Sequence, residues 1–477
     1  MNNSQSDKKI FANSSKLQKI SRLTKYFVGY YSKFFKVYRK DNTPTAVKYV
    51  QGLIVCEKGK ANMERMEEEI PDSEYRLYQH FISNSKWDYK GLISSLAYDA
   101  SVLFEENKRQ SGKPTGYIID ESAHLKKGDK SVGVTNQYAG VAGKIDNCQV
   151  GVYASLVNAT RATIINAKLF LPKCWTGDKQ RCIKADIPKE SRKFQTKPQL
   201  ALSMIDEDIA NGVKFDWIGG DGLYGHNFDL TSGLDERELF FVLDVHKDER
   251  IYLQKPEIKI PPKKGTKGRT PFRPQPEGDP MRLDKYKEGL SEKDWTKIKV
   301  RKTAKGWLRL KVHVARVWVW NQENGVLKQR TLIISKTIDK KPDVKYSFSN
   351  GELDEYPIND YAYFQAQRYW VERTFDDAKN ELGLSDYQIR KWTGWYHHNS
   401  LVIMASLFLT REKISNEKEL PLMSMRDARI LMIVSMFGTP EQQKERIKQM
   451  KKRHKKRQQD IDRRFRYQEI EDKLLES

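Results

Sequence analysis

Two short apolar segments of this chain each run directly into an aspartate, and this recurrence restricts the possible folds more than any other feature. Residues 116–120 are Gly-Tyr-Ile-Ile-Asp, and residues 215–221 are Phe-Asp-Trp-Ile-Gly-Gly-Asp. Short continuous apolar runs are typical of buried strands. We therefore predict one strand that ends at Asp120 and a second that ends at Asp221.

The segments around these two strands alternate between strand and helix patterns. Residues 149–157 and 161–171 are predicted strands joined by an Asn-Ala-Thr turn. Residues 197–211 have apolar positions at helical spacing, and residues 239–245 form a further apolar strand. The order strand, strand, strand, helix, strand, strand predicts an α/β domain around a mixed sheet.

Residues 250–350 interrupt this alternation. Residues 261–271 form a basic Pro/Gly loop with no core content. Residues 307–320 then alternate polar and apolar side chains, as a half-exposed antiparallel strand does. Residues 331–336 and 346–349 add two strands. We predict a β-rich block inserted into the α/β domain.

Glu372 supplies a third acid, in residues 360–382, where helical periodicity returns. It follows Asp221 by 151 residues, and Asp221 follows Asp120 by 101. Phosphodiester chemistry is served by two metal ions about 4 Å apart, and Mg²⁺ prefers carboxylate oxygens. Each acid alone also fits a turn, a cap or a surface ion pair. The three in this order indicate a ribonuclease-H-like domain, interrupted between the second and third acids.

The charge of the chain favours a polyanionic partner. Its 86 Lys and Arg exceed its 63 Asp and Glu, which gives a formal net charge of +23. This suits nucleic acid, although a merely basic soluble protein fits as well. Residues 8–40 carry ten Lys and Arg among aromatic residues, and residues 444–466 carry twelve against three acids. The second segment is a predicted helix, either in contact with DNA or simply solvated.

The expected architecture is an α/β ribonuclease-H-like catalytic domain with a β-rich insertion, plus helical N-terminal and C-terminal regions. The four cysteines form no Cys-x-x-Cys pair, which argues against a disulfide framework or a zinc ribbon. With no secretory apolar segment and no long apolar run, a cytoplasmic, nucleoid-associated protein is expected. The predicted boundaries are a helical DNA-binding region at 1–108, the catalytic domain at 109–249 and 351–415, the insertion at 250–350, and a basic helical region at 416–477.

Several segments match a known family. The most specific are IDESAHLKKG at 119–128, GDGLYG at 220–225, RYWVERTFDDAKNELG at 368–383 and WTGWYHH at 392–398. Further matches fall at residues 79–88, 131–138, 143–151 and 196–198, so the likeness covers roughly residues 60–410. On these segments the chain resembles the DDE transposases of bacterial insertion sequences, in the IS-four superfamily and closest to its seven-hundred-and-one branch.

The resemblance implies that Asp120, Asp221 and Glu372 are the catalytic, metal-binding acids, with two Mg²⁺ or Mn²⁺ ions. It also implies a Tyr-Arg-Glu-Lys signature, which Arg368, Glu372 and Lys379 match by position. These three side chains would share one helix face, with Arg368 and Lys379 as DNA contacts. The tyrosine position holds Gln365, so the chain departs from the signature there and one expected phosphate contact is in doubt.

Further candidates surround these acids. Glu121, His124, Lys126 and Lys127 follow the first acid closely, and the two lysines are candidate DNA contacts or members of an ordinary basic loop. His124 is a candidate to orient a water, or an ordinary exposed loop residue. Tyr224 either touches DNA or packs. In relatives the insertion handles the transposon end, so three tryptophans are candidates for base flipping, with core packing as the alternative: Trp307, Trp318 and Trp320.

The expected function is that of a transposase. It would bind the double-stranded DNA of transposon ends as a homodimer, hydrolyse one strand and join the 3′-OH to target DNA. A catalytically silent DNA-binding protein derived from a transposase is the alternative, and a general nuclease is a third. Strand nicking with Mg²⁺ and with EDTA distinguishes the first two.

Overall fold

A computed structural model describes residues 24–262, 271–339 and 341–476 of the chain. The basic positions before residue 24 and most of the basic Pro/Gly loop lie outside the described residues. The chain divides into two compact units. The first contains the residues up to Thr115, Asp120–Phe215 and Trp370–Asp460. The second contains Gly116–Ile119, Asp216–Tyr369 and Ile461–Ser477.

The N-terminal part of the first unit is helical. The side chain of Asp88 caps the longest of these helices by accepting a hydrogen bond from the Gly91 amide, and Gly112 ends it with a positive φ of 64°. The elements are α1 Ser32–Phe35, β1 Lys36–Val37, β2 Lys40–Asp41, α2 Thr43–Val55, α3 Met63–Glu69, α4 Tyr75–Ser83 and α5 Tyr89–Ser111.

The predicted hairpin and the following helix are both present. The turn between the hairpin strands contains Ala159 with a positive φ of 53°. Thr196 and Gln199 close a capping box at the start of the helix. The elements are β3 Gly116–Leu125, β4 Thr135–Ala139, β5 Lys144–Asn158, β6 Arg161–Leu169, α6 Lys173–Thr176, α7 Lys179–Lys184, a 3₁₀ turn Lys189–Arg192 and α8 Lys197–Ala210.

The prediction that the first strand ends at Asp120 was wrong. β3 continues through Asp120 to Leu125. The amide of the next residue, Lys126, still donates a hydrogen bond to the carbonyl of Asn147, which lies within β5. Pairing with β5 satisfies the backbone of the polar second half of β3. Nothing in the local sequence shows this pairing, since apolar periodicity ends at Ile119.

The second unit is rich in strands. Its long strand β14 carries the alternating residues 307–320, as predicted. The elements are β7 Trp217–Gly220, α9 Gly222–Gly225, α10 Phe228–Glu236, β8 Phe241–Asp244, β9 Arg250–Ile251, β10 Ile258–Lys259, β11 Gln275–Pro276, β12 Met281–Arg282, α11 Leu283–Glu288, a 3₁₀ turn Glu292–Asp294, β13 Thr296–Thr303, β14 Gly306–Asn321, β15 Val326–Thr337 and β16 Val344–Ser349.

The main strands pair in the order β13-β14-β15-β16-β8-β7-β3-β5-β4, and β6 pairs with β5 beside β4. β3 with β7 and β7 with β8 are parallel, whereas the pairs on the β13–β16 side are antiparallel. The expected mixed α/β fold with a large sheet is therefore confirmed. The core of the second unit lies against one face of this sheet and contains Val245, Ile251, Leu283, Trp295, Val317, Val319, Leu332, Ile334, Tyr346 and Phe348.

The remaining elements are helices: α12 Ile358–Gln367, α13 Tyr369–Glu381, α14 Trp392–Ser415, α15 Met425–Phe437 and α16 Pro440–Glu476. The helix predicted over residues 360–382 is thus divided at Arg368. Nearly every residue of α14 from Trp392 to Thr410 is buried, as expected of a helix that is apolar on all sides. Within the first unit α14 packs against β6, α5 and α2. In the described part of the chain, no helix is both long and apolar enough to cross a membrane.

Candidate active site

The register of two parallel strands positions the first two acids. Within the second unit, Gly116–Ile119 of β3 pairs with Trp217–Gly220 of β7, and Ile119 lies opposite Gly220. The next residue of each chain segment is an acid, Asp120 after Ile119 and Asp221 after Gly220. Because β3 and β7 run parallel, Asp120 within β3 and Asp221 just after β7 lie at the same level of the sheet.

Backbone amides orient both carboxylates. Oδ1 of Asp120 accepts a hydrogen bond of 2.8 Å from the amide of Glu121. Oδ1 of Asp221 accepts one of 3.0 Å from the amide of Leu223, because Asp221 is the N-cap of α9. Such bonds fix the rotamer of each side chain. The two carboxylates are therefore held in defined orientations.

A carboxylate cluster with the chemistry of a metal site forms at this edge. One ligand oxygen from each of Asp120, Glu121 and Asp221 lies within 4.8 Å of the other two, the one such group found among the described residues. All three side chains are partly buried. Nζ of Lys197 holds Glu121 at 2.9 Å. An all-carboxylate donor set suits hard divalent cations such as Mg²⁺, so the residues present fit such an ion.

Glu121 was not predicted as a ligand, although it directly follows Asp120 in the sequence. On an ideal strand, adjacent side chains point to opposite faces, so a neighbour of Asp120 is not expected to share its site. The signal available in the sequence was the acidic pair Asp120-Glu121 alone. Glu372, the predicted third acid, is not a member of the cluster.

Glu372 lies in the first turn of α13 and is exposed. Lys379 follows two turns later and is half-buried. Burial lowers the pKa of Lys379, and the negative charges of Asp376 and Asp120 oppose that shift. Phe375 of the same helix packs edge-on against Tyr153 of β5, with ring centroids 5.4 Å apart. Within the first unit, α13 therefore packs against the strand next to β3.

Arg368 is held by an acid at the end of β8. Its Nε lies 2.9 Å from Oδ2 of Asp244. Burial raises the pKa of Asp244, and the charge of Arg368 opposes that shift. Arg368 lies between α12 and α13 but keeps helical backbone angles, with φ −55° and ψ −30°, and the helix face that it was predicted to share with Glu372 and Lys379 stays a prediction. Gln365, at the position where the signature has tyrosine, is 3% exposed.

Two of the candidates that follow Asp120, His124 and Lys126, have contacts inside the first unit. His124 is buried inside β3, 2.9 Å from the Tyr387 hydroxyl, so the prediction of an exposed loop histidine was wrong. Lys126 donates to the Tyr387 carbonyl at 2.7 Å and lies over its ring. Burial lowers the pKa of Lys126 to about 8. Lys127, the next residue, is exposed.

Tyr224 corrects another expectation. It is 0% exposed, because α9 packs closely on β8. A Cβ atom at Gly225 would lie 2.0 Å from the carbonyl oxygen of Asp244, so only glycine permits this approach. Tyr224 therefore packs inside the second unit, and the predicted DNA contact through it is withdrawn.

The three candidate tryptophans are each half-buried on β14. Trp307 meets Phe465 of α16 edge to face, with ring centroids 5.9 Å apart. Trp318 forms a backbone bridge with Tyr252, and its ring lies 5.3 Å from the ammonium of Lys255. Packing accounts for part of the Trp307 ring, and base flipping by Trp307, Trp318 or Trp320 stays a prediction.

Comparison with known proteins identifies the family. The family model described as DDE superfamily endonuclease matches residues 30–306, more than half of the chain. The chain belongs to this DDE superfamily. The match includes Asp120, Glu121 and Asp221 and ends before Glu372.

One curated relative supports the expected branch. The chain is 24% identical over 314 residues to a probable transposase for insertion sequence element IS701 of Microchaete diplosiphon, covering 65% of this chain and 67% of that protein. The resemblance to IS701-like DDE transposases is thereby confirmed. A cryo-EM structure of a piggyBac transposase synaptic complex with hairpin DNA aligns with 90% of this chain and 79% of its own, at 11% identity and a TM-score of 0.39. A TM-score of this size does not establish a shared fold.

Proposed function

We propose that this DDE superfamily protein is a transposase, which cuts DNA at the ends of its element by metal-dependent hydrolysis and joins the resulting 3′-OH to target DNA. The observation that carries the proposal is the carboxylate cluster of Asp120, Glu121 and Asp221 inside the segment that matches the family. The IS701 relative supports the same function.

The arrangement of the acids also supports a ribonuclease-H-like catalytic domain. The first acid should lie on a central strand, and Asp120 is on β3, which has β5 on one side and β7 on the other. The second should end a neighbouring strand, and Asp221 directly follows β7. The third should project from a helix, and Glu372 lies on α13. We keep residues 250–350 as the proposed β-rich insertion and residues 109–249 with 351–415 as the proposed catalytic domain.

The metal would be Mg²⁺ or Mn²⁺, as two ions. Asp120 and Asp221 would hold them, with Glu372 as the proposed third acid and Glu121 as a further ligand. Bound ions of this kind supply charge stabilisation at the attacking and leaving oxygens of an in-line displacement. The chain itself orients Asp120 and Asp221 through backbone amides, and it holds Glu121 through Lys197.

Cations near the acids would bind the DNA backbone. Arg368, Lys379 and the exposed Lys127 are the proposed phosphate contacts, and such contacts position a duplex without reading its sequence. Lys126 is not proposed as a phosphate contact, because its ammonium donates to the Tyr387 carbonyl and lies over the Tyr387 ring. Two transposon ends must be held together during transfer, so we propose a homodimer in the active complex.

The first part of α16 is a proposed second DNA-binding surface. Gln443, Met450 and His454 are buried on one side of it, and Arg453 pairs with Asp427 at 2.6 Å, so this part of the helix is docked on the first unit. Four exposed lysines share another face at positions i, i+4, i+7 and i+8: Lys448, Lys452, Lys455 and Lys456. A docked helix with a stripe of cations suits duplex phosphates.

Replacing these four lysines with glutamine is expected to weaken DNA binding and its dependence on salt. Each lost phosphate contact should reduce the slope of log K against log [salt] by about 0.9. Binding is measured by fluorescence anisotropy with a duplex of the DNA that flanks the gene, over a series of salt concentrations. The control variant removes the same charge from exposed lysines elsewhere on the first unit: Lys58, Lys86, Lys179 and Lys184.

An unchanged slope in the α16 variant, or an equal change in the control variant, would rule out a specific role for this helix. The first outcome would mean that the stripe is a solvated face. The second would mean that net charge alone governs binding.

Strand nicking tests the proposed function directly. The full chain should nick duplex DNA that carries the flanking ends when Mg²⁺ is present, and EDTA should stop the reaction. An unrelated duplex of equal length is the control, because a general nuclease would cut both. Binding of the ends without nicking would contradict the proposal and leave a catalytically silent DNA-binding protein.

A further inference from the structure

Gln365 occupies the one position at which the chain departs from the four-residue signature, and it has a buried partner. Its Nε2 donates a hydrogen bond of 2.7 Å to Oγ of Ser347. Ser347 is 0% exposed and lies on β16. The amide of Gln365 therefore faces the sheet.

Ser347 continues the connection toward an acid. Its Oγ donates a hydrogen bond of 2.6 Å to Oδ1 of Asp244, the residue opposite it in the antiparallel pairing of β16 with β8. A hydroxyl has one proton. Since that proton goes to the carboxylate, the Ser347 oxygen can only accept from Gln365. The amide of Gln365 supplies the donor that this oxygen can accept.

Asp244 completes the connection by holding Arg368. The second carboxylate oxygen, Oδ2, lies 2.9 Å from the arginine Nε. This ion pair holds the Nε edge of the planar guanidinium against the carboxylate. Arg368 and Asp244 both line an open cavity of about 710 Å³, together with Lys247 and Lys345. The guanidinium therefore lies at a solvent-accessible site, whose lining also includes Lys287 and four acids: Asp244, Asp248, Asp284 and Glu288.

We propose that Gln365, Ser347 and Asp244 form a relay that fixes the guanidinium of Arg368 for contact with a DNA phosphate. The three are positioning residues, and the phosphate contact rests on the proposed function. The relay explains how a buried glutamine serves at this position: Gln365 lies one turn before Arg368 on the chain and acts on it through the sheet. All four residues belong to the second unit.

The first test needs no DNA. Arg368 is modified with an arginine-selective dicarbonyl, and its rate is followed by peptide mass spectrometry in the full chain. Ser347→Ala and Gln365→Leu should raise that rate several-fold, whereas Ser347→Thr, which keeps the hydroxyl, should leave it near the original value. Ser349→Ala is the matched control, because Ser349 is equally buried on the same strand but bonds to the Gly351 amide instead.

The second test measures the dissociation constant for the flanking duplex. Arg368→Ala should weaken binding by about 10- to 100-fold, the range for a charge-assisted hydrogen bond. Ser347→Ala should reproduce part of that loss and add nothing to it when combined with Arg368→Ala. Ser349→Ala should bind as the original chain does.

The outcomes separate the relay from the proposed function. Unchanged modification of Arg368 in Ser347→Ala, or an equal increase in Ser349→Ala, overturns the relay even if the protein cuts DNA. An original chain that neither binds nor nicks DNA overturns the proposed function and the phosphate contact, while the modification rates still decide whether the relay orients Arg368. Binding lost in Arg368→Ala but retained in Ser347→Ala also overturns the relay.

Discussion

Asp120→Ala and Asp221→Ala are each expected to abolish Mg²⁺-dependent nicking and to leave binding of the flanking duplex intact. Each change removes a carboxylate that would hold an ion, and the ion's stabilisation of the reacting phosphate amounts to several kcal/mol. That corresponds to a loss of about 10³-fold or more in rate. The measurement is single-turnover nicking, with anisotropy to record binding. Nicking retained by either variant would refute the assignment of these acids.

The same assay decides which glutamate completes the site. Glu372→Gln and Glu121→Gln each remove one negative charge with little change in shape. If Glu372 is the third acid, Glu372→Gln is as inactive as Asp120→Ala, and Glu121→Gln retains measurable nicking. The matched control is Asp376→Asn, an exposed acid one turn further along α13, which should nick as the original chain does. The opposite ranking of the two glutamate variants would transfer the role to Glu121.

Arg429→Ala is expected to cost the first unit about 3–5 kcal/mol in free energy of unfolding, the range for breaking a buried ion pair. The Arg429 guanidinium donates to the carbonyls of Ile54, Val55 and Cys56 at 2.6, 3.0 and 2.7 Å. α2 ends at Val55, so its last carbonyls lack helical partners. Arg429 also bonds to Glu381 at 3.2 Å, and both side chains are little exposed, at 11% and 13%.

Urea unfolding of the full chain, followed by tryptophan fluorescence, measures this loss. Arg429→Lys should not restore stability, because an ammonium cannot bridge several carbonyls and a carboxylate in one plane. The matched control is Arg446→Ala, which removes an exposed arginine from α16 and should change stability by less than about 0.5 kcal/mol. An Arg429→Ala midpoint equal to that of the control would contradict the role of this side chain.

The elements that could be predicted are those with a local pattern. The alternation of residues 307–320 predicted β14, and the apolar spacing of residues 197–211 predicted α8. The apolar runs before Asp120 and Asp221 predicted β3 and β7. In each case the pattern repeats every few residues within one continuous segment, so that segment alone is enough to predict the element.

The misplaced features depend on partners that are distant along the chain. β3 continues past Asp120 because its polar half is paired, which the polar residues 120–125 do not show. Tyr224 was predicted either to touch DNA or to pack, and it packs because Gly225 lets its helix approach β8 and bury it. His124 is enclosed by contacts that include Tyr387, 263 positions away.

The two aspartates illustrate this division most clearly. Their identity, their order and their place after two apolar runs can be read from the sequence alone, because these follow from covalent order and short-range periodicity. Three relations exist only in the folded chain: Ile119 lies opposite Gly220, Glu121 joins the acids, and Asp244 holds Arg368. Those relations arise from strand register and side-chain packing between segments about 100 or more positions apart, where no local pattern records them.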